Sequence, residues 1–227
     1  MNSNKELRAM ALQRLSGNWA NAVLASFIYI LLAVGNATIQ NLNNLKYLPG
    51  ETLLYSLGTL IFSLVILYPL RYGIETAFLQ FYRTEESDIT TKMFQAFKNI
   101  GRAIGVILLQ TIFIFFWTIL LIIPGIIKSY AYAMTIYIAY DHPEWGADEC
   151  IRESMKMMQG YKWKLFLLDL GFIGWFLLCL LTFGLGFFLL LPYIQTSHAA
   201  FYEELKCSHL ESTENQEENI ITETAEI

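Results

Sequence analysis

The sequence contains few charged residues, because Asp, Glu, Lys and Arg together make up only 15% of its 227 residues. Soluble domains average about 25% charged residues. Hydrophobic residues make up 55% of this chain, and its apolar runs reach the roughly 20 residues that a helix needs to cross the hydrocarbon core of a bilayer. This composition excludes an ordinary soluble domain and indicates a membrane protein.

Residues and motifs that carry chemistry are also scarce. The chain has three cysteines and three histidines, and they share no spacing that is typical of a metal site. It lacks a Gly-x-Ser-x-Gly elbow, a His-Glu-x-x-His pair, a phosphate-binding glycine loop and a Cys-x-x-Cys motif. We therefore expect no metal, no cofactor, no catalytic residue and no nucleic-acid partner, and an enzyme is the least favoured function.

A polar stretch that ends in glycine and is followed by two apolar runs occurs three times. The stretches are Ser3–Gly17, Thr90–Gly101 and Ala147–Gly160, and the apolar regions after them are Trp19–Ile39 with Leu53–Phe81, Ala103–Tyr140 and Leu165–Tyr202. This layout predicts an all-α polytopic membrane protein with six transmembrane helices in three hairpin units, each preceded by an amphipathic interfacial helix. The predicted membrane domain covers residues 1–206, with units at about 3–82, 90–140 and 147–205.

Each polar stretch has its apolar residues at the helical period, and glycine is favoured just beyond a helix C-terminus. The predicted apolar faces are Leu7, Met10, Ala11 and Leu15; Met93, Phe94, Phe97 and Ile100; and Cys150, Ile151, Ser154, Met155 and Met158. Ser3 and Glu6 have the spacing of a capping box. Such helices lie in the membrane interface or cap the bundle, and both alternatives place them on the same side.

The distribution of basic residues predicts the orientation. With six spans, 13 of the 15 Lys and Arg residues fall on the side that holds both termini, and Lys46 lies on the other side. Cytoplasmic loops carry an excess of Lys and Arg, so both termini are predicted to be cytoplasmic. The connection 40–52 is the sizeable outward loop. Residues 207–227 contain six glutamates and no Lys or Arg, which predicts a disordered acidic cytoplasmic tail.

Several polar residues fall inside the apolar runs, and such residues are functional candidates because they are costly at membrane depth. The candidate intramembrane site consists of Arg71, Glu75, Lys128, Asp169, Gln195 and His198. A short pattern of isoleucine, a long polar residue and a hydroxyl residue recurs around Glu75, Lys128 and Gln195. Our hypothesis places these three at a shared interior, with Glu75 paired to Arg71 or Lys128. In the alternative, Arg71 and Lys128 extend to the interfaces.

Asp169 has no counterpart in the other two units. It follows Trp163 by six residues, which is roughly 9 Å along a helix and therefore below the interface. A structural partner, such as a tryptophan or tyrosine donor or Arg71, is favoured over chemistry for this carboxylate. His198 follows Gln195 by one turn and fits either a proton relay or a hydrogen-bonded packing residue.

Particular motifs resemble a known family. They are the segment Met157-Met158-Gln159-Gly160-Tyr161-Lys162-Trp163-Lys164-Leu165-Phe166 and its continuation to Trp175, Pro124-Gly125-Ile126 with Lys128-Ser129-Tyr130, Pro192-Tyr193-Ile194-Gln195-Thr196 through Tyr202, and Gly17-Asn18-Trp19. Over about residues 5–205 the chain resembles the bacterial integral-membrane family of the domain of unknown function 975. More remotely it is similar to the membrane portion of some glycerophosphoryl diester phosphodiesterases, without their catalytic domain. The resemblance implies a multi-pass protein of the bacterial plasma membrane and implies no substrate.

Two functions are consistent with these observations. The first is a non-enzymatic accessory or binding protein that engages membrane lipids or a partner membrane protein through its grooves and interfacial helices. The alternative is a small transporter or channel with a pathway lined by Glu75, Lys128, Gln195, Asp169 and His198. A transporter predicts a polar, hydrated cavity at these residues, whereas a binding protein predicts that they are paired within a packed core.

Overall fold

The chain folds as an assembly of helices. A computed structural model describes residues 2–46, 49–84 and 88–225, and it describes side chains through 41, from 53 to 84 and from 88 to 210. Helices account for 87% of the structure described in these ranges, which contain no strand. The all-α prediction is confirmed.

The helices follow one another with short connections. In chain order they are α1 Asn4–Leu15, α2 Trp19–Lys46, α3 Pro49–Phe62, a π-helical turn Ser63–Leu67, α4 Tyr68–Thr84, α5 Ile89–Phe94, a 3-10 helix Gln95–Asn99, α6 Ile100–Leu120, α7 Ile122–Ala131, α8 Thr135–Asp141, α9 Ala147–Met157, α10 Lys162–Leu170, α11 Ile173–Leu181 and α12 Phe187–Ala225.

Five helical stretches of the described chain are long and apolar enough to cross a membrane. They are Trp19–Asn41, Leu53–Thr84, Ile89–Leu120, Ile122–Asp141 and Lys162–Leu181. The sixth predicted span lies in α12, where the polar residues Gln195, Thr196, Ser197 and His198 interrupt the apolar sequence. The chain is therefore a helical protein with several potential membrane spans, and the sixth span stays a prediction.

The three polar stretches are helical, as α1, α5 with its 3-10 extension, and α9. In α1 the capping box is confirmed, because Glu6 N–H donates to Ser3 Oγ and Ser3 N–H donates to the Glu6 carboxylate. These bonds lower the pKa of Glu6 below its usual value. Gly17 and Gly160 follow the first and third helices with positive φ angles of 87° and 80°, which suits glycine.

The second stretch differs from its prediction. Gly101 lies inside α6 and ends no helix, because α6 begins one residue earlier at Ile100. Within α5, Phe94 is 45% exposed, whereas Lys92 is buried. The helix then continues as the 3-10 segment Gln95–Asn99. A change of helical period within ten residues is invisible to a pattern search that assumes one period.

Prolines and glycines mark where the spans bend. Pro69 is the second residue of α4, and the turn before it is π-helical, because proline cannot supply a helical N–H and its ring crowds the preceding turn. Pro124 lies in the first turn of α7, where its missing N–H is not needed. A Cβ atom on Gly125 would lie 2.6 Å from Thr118 Oγ1, so α6 and α7 approach each other closely after the extended residue Leu121.

Two predicted irregular segments are more helical than expected. In the predicted 40–52 loop, α2 continues to Lys46 and α3 begins at Pro49, with residues 47–48 outside the described chain. In the predicted disordered tail 207–227, the backbone of α12 is helical to Ala225. Glu and Gln are good helix formers, so an acidic composition does not by itself prevent a helix.

The centre of the fold is formed by α4, α8 and α12. Their largest fully buried side chains are Phe78, Phe81, Tyr137, Phe201 and Tyr202. The rings of Tyr137 and Tyr202 stack with centroids 5.2 Å apart. One helix from each predicted unit contributes to this core.

Candidate functional site

Four of the six predicted site residues form two ion pairs. On α4, Arg71 Nε lies 3.3 Å from Glu75 Oε1, and the side chain of Glu75 is 14% exposed. Between α12 and α10, His198 Nε2 lies 2.7 Å from Asp169 Oδ1. Of the two partners predicted for Glu75, Arg71 and Lys128, the structure shows Arg71. Asp169 pairs with His198, which was not among the partners predicted for it, and its structural role stays a prediction.

The two pairs lie near each other. Glu75 is close enough to His198, as well as to Arg71, for electrostatic interaction, and Tyr130 is close enough to Asp169 for the same kind of interaction. Tyr137, which is fully buried, interacts with both carboxylates and with Arg71. We call Arg71, Glu75, Asp169, His198, Tyr130 and Tyr137 the polar cluster. Each of its charged groups has a partner of complementary charge or hydrogen-bonding type.

Lys128 and Gln195 do not join these pairs. Lys128 Nζ lies 4.9 Å from the centroid of the Trp117 ring and 3.9 Å from Met155 Sδ, so it contacts α6 and α9, and no ion pair connects it to Glu75. Gln195 is half-buried, and its Oε1 atom is buried without a hydrogen-bond partner among the described residues. The hypothesis of a shared interior for Glu75, Lys128 and Gln195 therefore stays a prediction, and the Lys128 contacts lie with Trp117 and Met155.

A second ionic network connects the ends of α4 and α8 to the middle of α12, and the sequence did not predict it. Asp141 at the end of α8 has a side chain that is 6% exposed, and Arg83 of α4 holds both its oxygens at 2.6 and 2.7 Å. Lys206 Nζ and Tyr202 Oη of α12 donate to the same carboxylate at 2.7 and 2.9 Å. Arg83 also pairs with Glu203 at 2.6 Å. We call this the Asp141 network.

Arg102 satisfies the carbonyls at the end of α8. Its two terminal nitrogens donate to four backbone oxygens at 2.7–2.9 Å, those of Ala139, His142, Pro143 and Trp145. The last carbonyls of a helix have no intrahelical donor and carry partial negative charge. A positive side chain there stabilises the helix end, so Arg102 fixes the connection between α8 and α9.

The helix is broken between α7 and α8, and side chains of the neighbouring helices α6 and α9 form hydrogen bonds with the backbone groups of the break. Ser154 of α9 donates to Ala131 O at 2.8 Å and accepts from Met134 N–H at 3.2 Å. Gln110 of α6 donates to Tyr132 O at 3.0 Å. Non-helical backbone at membrane depth is tolerated where protein groups replace its lost hydrogen bonds. The buried Ser154 of the third amphipathic stretch therefore has a structural role.

An apolar groove of about 560 Å³ runs along the side of the helical assembly. Its walls come from α11, α12 and the connection between them, and α1 and α2 contribute one residue each. We call it the α1 groove, and its lining residues are Leu12, Trp19, Trp175, Leu178, Cys179, Thr182, Leu185, Gly186, Leu189, Leu190 and Tyr193. Several of these side chains are more than half exposed, among them Trp175 at 52% and Leu189 at 54%.

Among the described residues, no group of three or more His, Cys, Asp or Glu side chains is arranged so that it could hold a metal ion. Cys150 and Cys179 are buried free thiols, and Cys207 is an exposed one. Burial raises the pKa of the Cys150 thiol, which disfavours the reactive thiolate form.

Residues 118–209 match the family whose description is "Protein of unknown function (DUF975)". The DUF975 resemblance is confirmed. The matched region begins near the end of α6 and contains α7 to α11, the described side chains of α12, both partners of the Asp169–His198 pair and most of the α1 groove. The remoter similarity to the membrane portion of glycerophosphoryl diester phosphodiesterases stays a prediction. Comparisons with curated proteins and with solved structures gave no match.

Proposed function

We propose that this protein is a non-enzymatic membrane protein that binds lipid in the α1 groove. The observation that carries the proposal is an apolar groove of about 560 Å³ whose walls belong to two helices of the membrane domain and the connection between them. Binding sites are concave and mostly apolar, and grooves of this size accommodate small ligands. An acyl chain is the apolar ligand that the surrounding bilayer supplies at this depth.

The proposed setting is the bacterial plasma membrane, with six spans and both termini in the cytoplasm. The first part of α12 provides the sixth span, because its polar residues Thr196 and Ser197 donate to carbonyls four residues back in their own helix. Such bonds remove the penalty of placing hydroxyl groups in the hydrocarbon. The basic residues then lie on the cytoplasmic side, as the positive-inside rule requires.

The arrangement of the polar cluster supports binding over transport. A permeation pathway needs polar groups that face a hydrated cavity, whereas Arg71 and Glu75, and Asp169 and His198, are paired with each other. The α1 groove is lined by different residues. The polar cluster is therefore interpreted as an internal structural element that connects α4, α10 and α12.

The transporter alternative leads to a separate test. In liposomes we expect flux at the level of protein-free vesicles for a panel of ions, amino acids and sugars, and no change in Glu75→Gln or His198→Gln. The reason is that the paired charges leave no open polar path. Flux above background that either substitution abolishes would support a transporter and contradict the binding proposal.

Lipid binding is tested by filling the groove. We expect Leu178→Trp to lower the amount of phospholipid that co-purifies with the protein to about one tenth, because an indole would occupy the volume of the acyl chain. Native mass spectrometry of the detergent-purified protein measures the bound fraction. Leu181→Trp is the matched control, since Leu181 lies on the same helix, is 78% exposed and does not line the groove.

Equal lipid retention in the two tryptophan variants and the wild type would contradict the proposal. A groove that serves as a docking site for a partner membrane protein would instead retain no lipid in the wild type. Both variants are expected to elute as single species, because each adds bulk at an exposed position.

A further inference from the structure

Arg8 lies on α1, one helical turn before Leu12, which lines the α1 groove. Because Arg8 precedes Leu12 by four positions, both side chains project from the same face of α1. Its guanidinium donates from Nη1 to Gly171 O at 2.9 Å and lies 5.9 Å from the centroid of the Phe172 ring. The Phe172 ring in turn contacts the groove residue Tyr193, with centroids 5.0 Å apart.

The guanidinium retains capacity for a further ligand. Its Nε donates to Asn4 O at 3.3 Å within α1, and Nη1 is used by Gly171. No described residue accepts a hydrogen bond from Nη2, and no described carboxylate forms an ion pair with Arg8. The nearby carboxylates interact elsewhere, since Glu6 closes the capping box and Glu204 accepts from Asn2 N–H.

We propose that the α1 groove selects a phospholipid whose acyl chain lies in the groove and whose phosphate binds to Arg8, with net anionic headgroups preferred. This inference rests on the proposed function, because it names the lipid class that the same groove takes. Arginine binds phosphate oxygens through charge-assisted hydrogen bonds. Lysine and arginine near the ends of spans also attract anionic headgroups at the cytoplasmic leaflet.

The position of α1 explains why a phosphate fits there. Asn4 Nδ2 donates to Lys164 O at 3.0 Å, which attaches the start of α1 to the beginning of α10. The apolar side of α1, with Leu7, Ala11 and Leu15 buried, packs on the helices. In the proposed topology α1 lies at the cytoplasmic end of the groove, where Leu12 lines it and Arg8 offers a cation to the headgroup of a chain in the groove.

The test compares lipids that share their chains and differ in the headgroup. Native mass spectrometry measures the affinities of the full-length protein for phosphatidylglycerol, phosphatidylcholine and diacylglycerol, all with the same acyl chains. We expect Arg8→Gln to weaken phosphatidylglycerol binding about tenfold, the effect of losing a hydrogen bond to an ionised group. Diacylglycerol binding should be unchanged, because that lipid has no phosphate.

Two further variants distinguish the effect of the position of the Arg8 guanidinium from the effect of the positive charge of α1. A Cβ atom on Gly171 would overlap the guanidinium of Arg8, so Gly171→Ala should displace it and reduce phosphatidylglycerol binding while the charge is retained. Lys5→Gln removes an exposed cation from the same helix and should have no effect. Melting temperatures within a few degrees of wild type would show that all variants are folded.

Each other outcome overturns the inference. Unchanged phosphatidylglycerol affinity in Arg8→Gln, or an equal loss in Lys5→Gln, would mean that no headgroup site exists at Arg8. Displacement of the lipid by millimolar glycerol phosphate would identify a site for soluble phosphate esters. If Leu178→Trp still abolishes binding of all three lipids, the proposed lipid-binding function stands without the headgroup preference. If it does not, both proposals fail.

Discussion

Replacing Gly73 by alanine is expected to lower the melting temperature of the purified protein by roughly 10 °C. Gly73 lies on the face of α4 that packs against α5. An added Cβ atom would overlap the backbone carbonyl oxygen of Met93 and lie 3.1 Å from the Cβ of Ala96. Because the obstacle is backbone, α5 would have to move as a unit away from the core residues of α4.

The matched control is Gly105→Ala in α6. A Cβ atom at Gly105 has no neighbouring atom within 4 Å, and alanine is favoured over glycine inside a helix by about 1 kcal/mol. We therefore expect a melting temperature equal to or slightly above that of wild type. Similar losses for both variants in differential scanning fluorimetry would contradict the close packing of α4 on α5.

Replacing Asp141 by asparagine is expected to cost about 2–3 kcal/mol of stability, because it removes the buried carboxylate to which Arg83, Lys206 and Tyr202 donate charge-assisted hydrogen bonds. The side chain of Asp141 is 6% exposed and holds Arg83 and Lys206. Asparagine preserves the size of the side chain while removing its charge. Unfolding of the detergent-solubilised protein, followed by the fluorescence of its tryptophans, measures the difference in free energy.

Asp148→Asn on α9 serves as the comparison. The carboxylate of Asp148 is 57% exposed and pairs with Arg152 one turn away in the same helix at 2.9 Å. Exposed pairs of this kind contribute about 0.3–0.5 kcal/mol, so little change is expected. If Asp141→Asn were as mild as Asp148→Asn, the Asp141 network would not hold α4, α8 and α12 together.

Features determined by local sequence could be predicted. The capping box of Ser3 and Glu6 and the left-handed glycines 17 and 160 depend on residues within one helical turn, and the structure contains them. The pairing of Arg71 with Glu75 is also local, since it spans four positions. Hydrophobic periodicity gave the helical class because each run is long compared with one turn.

Features that depend on which helices meet could not be predicted. Arg83 and Asp141 are 58 positions apart, and nothing in their local sequence indicates that the ends of α4 and α8 are adjacent. Lys128 has the same local pattern as Glu75, yet it packs on Trp117 and Met155. The α1 groove could not be predicted either, because the sequence of a span that is apolar on every side does not indicate which side contacts lipid and which packs on protein.

The most direct measurement is a cryo-electron microscopy structure of the full-length protein in nanodiscs that contain phosphatidylglycerol. Lipid binding predicts acyl-chain density along Trp175 and Leu189, with phosphate density within about 3 Å of Arg8 Nη2. The Arg71–Glu75 and Asp169–His198 pairs should remain intact. An empty α1 groove, together with a water-filled path past Glu75 and His198, would contradict the account.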